Sequence, residues 1–317
     1  MALEVACACS ALGSQVRLLT ESTGSSAPRT FNSSSLQHEV VYETVGTKRK
    51  VAASGAVNGT GVDLASSVRP GSYLTQGVIS IQPSPKELKR WLPRVFGGVV
   101  SGSNVTVTNT LTPFDVLVYR ENGIFHYTDA VVAQAVIRGK TSSGGDSVEF
   151  MNMLIQIVGK QELIDVTAWP DPAPSLTYTA DWLPYTFYES GLVLDSLAVE
   201  YDAISMVVNN NLDVKFYNQQ YPSCIRLSKR TIELGIQAAF TCDNLATALE
   251  ANTADITGAF DLTTTGMATT FTFSKLRNTF ETPNMSGPGS FPQKINLQAL
   301  AATANGINVV ITQDDTP

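Results

Sequence analysis

A chain of 317 residues exceeds the ~100–200 of a typical domain, so two comparable domains, each burying its own core, are the natural expectation. The apolar share of 43% is that of a soluble globular protein, but only 15% is charged against a usual ~25%. Polar area must then come from Ser, Thr, Asn and Gln, as suits strands with one wet face or a surface covered by neighbouring subunits. A formal charge of −7 argues against a protein that grips nucleic acid, because such affinity comes largely from Lys and Arg set against phosphates.

The segment through Ser35 is rich in Ser, Thr and Ala and carries the breaker Gly24-Ser25-Ser26-Ala27-Pro28, which predicts a flexible arm over 1–35. Strand propensity begins after Leu36, with Val40 to Val45. Lys48, Arg49 and Lys50 follow on a hairpin limb or turn, and Asn58-Gly59-Thr60-Gly61 is a turn signal. Tyr73 to Gln82 alternates as a second strand. Ser84 and Pro85 then open a helix as N-cap and first helical residue. Leu88, Trp91, Leu92 and Val95 form its apolar stripe, with Lys86, Glu87, Lys89, Arg90 and Arg94 outside it. Pro93 is expected to shorten or kink this helix, and Gly97-Gly98 to end it. Strands follow at Phe114 to Tyr119, Val131 to Ile137 and Met151 to Val158.

Pro170-Asp171-Pro172-Ala173-Pro174 marks a linker, placed at 169–182, and after it the order repeats. Strands are read at Leu192 to Tyr201, Ile204 to Asn209, Leu212 to Tyr217 and Thr231 to Ala239, the last two bracketing a hairpin with Arg226, Lys229 and Arg230. Asp243 caps a second amphipathic helix carrying Leu245, Ala248 and Leu249. Phe260-Asp261-Leu262 echoes Phe114-Asp115-Val116, and each half ends in an apolar strand, Met153 to Val158 or Ile307 to Thr312. The chain therefore reads as mainly β, with two tandem β-sandwich modules at 36–168 and 183–317, each flanked by one α-helix. Two unrelated β-rich domains are the alternative.

Little in the sequence carries chemistry. Four cysteines, Cys7, Cys9, Cys224 and Cys242, are too unevenly spread for a disulfide framework, and Cys7-x-Cys9 lacks the second pair a zinc site needs. The two histidines, His38 and His126, lie in strands with no acidic partner at a telling spacing. Gly139-Lys140-Thr141 ends like a phosphate-binding loop but has Gln134 where the first glycine belongs. Asp195, Glu200 and Asp202 suit glycoside hydrolysis only if a concave site gathers them; on strands they simply face water. Trp169 and Trp182 beside Asp171 and Asp181 fit either a sugar platform or an anchor for the linker. No catalytic, cofactor or metal residue is assigned. The apolar segment from Met1 to Gly13 carries Glu4 and no early basic region, a poor match to a signal peptide, and no apolar run approaches the ~20 residues of a membrane span. Synthesis in the cytoplasm is expected.

The order of strand, hairpin with basic limb, the strand ending Ile79-Ser80-Ile81-Gln82, helix and further strands resembles phage tail tube proteins. Phe271-Thr272-Phe273-Ser274-Lys275-Leu276, then Lys294-Ile295-Asn296-Leu297-Gln298-Ala299 and Val309-Val310-Ile311-Thr312, is similar to the closing hairpin of that family. The resemblance implies a non-enzymatic subunit of the virion tail, assembled in the host cytoplasm. Six modules close into a ring whose inner sheets form a barrel, so three tandem chains would make a pseudo-hexameric ring, and rings stack into a tube. It implies tape measure, terminator and baseplate proteins as partners, and DNA passing without specific binding through a lumen expected to be acidic. Lys48, Arg49, Lys50, Arg226, Lys229 and Arg230, taken to occupy matching places in the two halves, are the expected contacts between subunits. A carbohydrate-binding or adhesin sandwich, and a tail completion or baseplate ring, stand as alternatives.

Overall fold

The computed structural model describes residues 17–22, 27–53, 68–101, 104–105, 107–120, 123–141, 149–164, 180–239, 256–264, 266–278, 292–301 and 309–314. The first half runs β1 (Arg17–Glu21), β2 (Leu36–His38), β3 (Tyr42–Glu43), β4 (Gly46–Ala53), β5 (Val68–Ile81), α1 (Pro85–Phe96), β6 (Val100–Ser101), β7 (Asn104–Val105), β8 (Phe114–Arg120), β9 (Gly123–Lys140), β10 (Asn152–Gly159) and β11 (Gln161–Ile164). The second runs β12 (Ser190–Leu194), β13 (Leu197–Ala198), β14 (Ala203–Asn209), β15 (Leu212–Lys215), β16 (Cys224–Leu227), β17 (Thr231–Ala239), β18 (Ile256–Thr264), β19 (Met267–Asn278), β20 (Pro292–Ala299) and β21 (Val310–Asp314).

These strands pair antiparallel into two layers. One layer is a continuous eight-stranded sheet in the order β4-β5-β10-β9-β14-β17-β20-β19, so strands of both halves share it through the β9–β14 pairing. The other layer holds β2-β1-β8-β9-β11 in the first half. In the second half it holds β13-β12-β18-β19-β21-β7-β6. Long strands β9 and β19 cross from one layer to the other, and among the described residues the main hydrophobic core draws on both halves, beside a small second cluster of Leu19, Phe31 and Leu117. Strict alternation makes this possible: Ile204, Met206 and Val208 of β14 and Ile232, Leu234 and Ile236 of β17 point inward, and the residues between them face out.

The second half repeats the pairings of the first. Strand β12 lies on β18 as β1 lies on β8, β19 hairpins with β18 as β9 does with β8, and β20 joins β19 to β17 as β10 joins β9 to β5. Both hairpins carry a bulge, between Phe114 and Val116 in one and between Ile256 and Gly258 in the other.

Several expectations change. The described residues of the expected arm, 17–22 and 27–35, are part of the fold: β1 pairs with both β2 and β8, and Leu18 and Leu19 are fully buried on its two faces. Pro93 does not shorten α1, which runs to Phe96 and ends at Gly97 with φ 73°. Burial of Trp91, Leu92, Val95 and Phe96 outweighs the backbone hydrogen bond lost at the proline. Glu87 and Arg94, expected outside the stripe, are buried. The strand read over Leu192 to Tyr201 is broken by a turn in which Asp195 and Ser196 both have positive φ. The second predicted helix and most of the linker, including Trp169, lie outside the described residues.

Candidate functional site

Two buried polar clusters occupy the first half. Asp115, at the β8 bulge, accepts hydrogen bonds from the Arg29 backbone and guanidinium, from Nε2 of His126 at 2.8 Å and from the Asp129 amide at 2.9 Å. The acidic partner of His126 thus exists; it sits on the facing strand, where spacing along the chain does not reveal it. Burial alone would raise the Asp115 carboxyl, but the donors from His126, Arg29 and Asp129 hold it below its ordinary range. In the second cluster His38 donates from Nδ1 to Glu87 Oε2 at 2.7 Å, and its Nε2 accepts from Thr20. Trp91 Nε1 also donates to Glu87, while Ser84 Oγ caps the helix through the Glu87 amide. Burial pushes His38 below its ordinary value despite the pull of Glu87. Both clusters are sealed from solvent, so they tie β1, β2, the 27–35 loop and α1 together rather than form an open site. Among the described residues no group of three His, Cys, Asp or Glu is arranged to hold a metal ion.

The residues picked from sequence as subunit contacts divide in two. Lys48, Arg49 and Lys50 lie exposed on β4, the outer strand of the eight-stranded sheet, with Arg49 stacked on Tyr73 at 5.6 Å. Arg226 and Lys229 are exposed near the β15–β16 hairpin, which leans on β5 through a Tyr73 to Gln220 backbone bond. Arg230 is bonded within the chain. It donates to Asn210 Oδ1, Thr108 O and Phe96 O, closing the carboxyl end of α1, and burial lowers its pKa to about 10. The two basic groups do not occupy matching places: β4 is the outgoing limb of its hairpin, whereas Arg226 lies on the returning limb, β16, with Lys229 and Arg230 just past it.

The eight-stranded sheet turns one broad face away from the core. Cross-strand registers set Arg138, Ser205, Gly235 and Asn296 in one row and Lys140, Ala203, Gln237 and Lys294 in the next. These rows line a hollow of about 530 Å³. Its floor is low because Ala203 and Ser205 are small and Gly235 has no side chain, a Cβ there standing 2.8 Å from Ser205 Oγ. Sequence alone did not find this surface, since it exists only once β9 and β14 pair. Trp182, by contrast, is 5% exposed beneath Arg90, with Asp181 bound to Lys86, so it anchors the chain to α1 and offers no sugar platform.

Compared with protein families, the sequence matches the phage tail tube proteins over residues 12–304. The chain belongs to the phage tail tube protein family. No curated protein matches it. Membership makes the chain a structural component of the virion tail and agrees with its β-rich fold. The exposed charges on the open face are Lys48, Arg138, Lys140, Arg277 and Lys294 against Glu233, so among the described residues the face is amide-rich and more basic than acidic.

Proposed function

We propose that this chain is a self-assembling subunit of the phage tail tube, in which 36–168 and 183–317 act as two modules, three chains close a pseudo-hexameric ring, and stacked rings form the conduit for the genome. The observation that carries this reading is the β9–β14 pairing, in which the crossing strand of one half meets the outer hairpin limb of the other. A second such junction between chains would pair β4, whose outer edge has no strand beside it among the described residues, with the carboxyl-terminal end of β19. Antiparallel pairing across that junction satisfies the row of amides and carbonyls that an edge strand leaves open, and removes every free edge from the inner layer. The open sheet face then lines the lumen, and tape measure, terminator and baseplate proteins meet the tube at its bore and ends.

Negative-stain electron microscopy with light scattering on the purified chain tests this. Hollow tubes built of rings with three chains each are expected. Single rings that never stack would make the chain a tail completion or baseplate protein instead, and a monomer at all concentrations would sink the self-assembly reading.

A further inference from the structure

We propose that Arg138, Lys140 and Lys294 form a sequence-independent contact site for the phosphate backbone of duplex DNA on the open face of the eight-stranded sheet. The three cations are exposed, and none has an ion pair among the described residues. They stand on β9 and β20, three strand spacings apart, which is about 14 Å. Between them lies the recessed floor made by Ala203, Ser205 and Gly235. Among the described residues no carboxylate lines this hollow; Glu233, further along β17, lines a neighbouring one. A polyanionic strand lying in the trough therefore meets cations on both sides, with the amides of Asn152 and Asn296 beside it as donors.

This placement runs against the background of the chain, whose charge is −7. A local field of opposite sign attracts a polyanion that the molecule as a whole repels. Three contacts bind weakly and without reading bases, which suits a surface that DNA touches and must leave. The choice of DNA as occupant rests on the tail tube reading, in which this face lines the lumen.

The experiment uses the full chain and a fluorescently labelled duplex of random sequence, followed by anisotropy from 50 to 200 mM salt. The same preparations are examined for tubes by electron microscopy. Each neutralised phosphate steepens the salt dependence by about 0.9 in the log–log slope. The wild type should therefore lose about 40-fold more affinity across that range than R138Q/K140Q/K294Q, whose tubes should be unchanged. Equal binding by both proteins, or no binding by the wild type at 50 mM salt, overturns the site even where tubes form. Capture of a polyglutamate peptide but not of DNA overturns it too, by assigning the groove to an acidic protein. Groove-dependent DNA binding by a chain that never assembles upholds the site and counts against the tube reading alone.

Discussion

At the scale of single residues, burial gives the two polar clusters a common pH signature. His38 is held neutral in the fold, while in an unfolded chain it titrates near ~6.5. The unfolded state therefore binds the proton more readily, and stability is full above about 6.5 and is lost as the pH falls toward the lowered native value. Asp115, held below its ordinary range, contributes stability above about 3.9 that disappears only in stronger acid. Urea unfolding of the unassembled chain should show the free energy falling between pH 7 and pH 5, and a flat profile there would mean that His38 is solvated. In the same assay Asp115→Ala should cost about 3 kcal/mol at pH 7 by leaving a buried guanidinium underpaired. The figure sits at the low end for a broken buried pair because Asp129 still reaches Arg29 at 3.1 Å. None of this was legible in the sequence. Arg29 comes from a Ser-rich loop 86 residues before Asp115, and composition signals that such a segment is irregular without saying whether it is packed.

Elements were read best where the signal is local. Ser84 and Pro85 announced the start of α1 and Gly97 its end, because caps are chemistry between neighbours. What closes the carboxyl end of that helix could not be seen in advance. Asn210 donates to Val95 O and Val132 O, and Arg230, bonded to Asn210, donates to Phe96 O from 134 residues further along. A basic residue at the foot of a hairpin looks like a solvated or intermolecular charge until the helix end beside it is known. Arg230→Ala strips several carbonyl and amide acceptors of a charged donor and should lower stability by about 2–3 kcal/mol. Lys229→Ala, one residue away and exposed, should change it by less than about 0.5 kcal/mol. Equal effects in thermal or urea unfolding would mean that Arg230 does not brace the helix. The breadth of the alternating strands was similarly legible, but the crossing of β9 between layers was not, since it turns on Asp129 at φ 47° and on bulges that shift register without changing composition.

For the whole molecule, the recurring order of strands carried the reading from sequence to family, while the weak likeness between halves hid how they join. Their junction is an ordinary antiparallel pairing of β9 with β14, and its seven residue pairs show no motif, because backbone hydrogen bonding makes few demands on side chains beyond alternation. The proposed junction between chains should be equally undemanding, so disrupting it calls for charge. Lys48 projects to the open face beside Leu74 while Arg49 turns to the other side over Tyr73, so the exposed edge strand carries cations on both its faces. Cations on an edge suppress indiscriminate pairing in the free chain yet are tolerated where a partner surface of opposite sign approaches. Replacing Lys48, Arg49 and Lys50 with Glu keeps the edge soluble but inverts its complement. Light scattering should then show self-association weakened by at least tenfold, with urea unfolding of the monomer unchanged. If the charge-reversed chain builds tubes as readily as the wild type, β4 is not the edge that meets a neighbour, and ring closure must run through strands outside this hairpin.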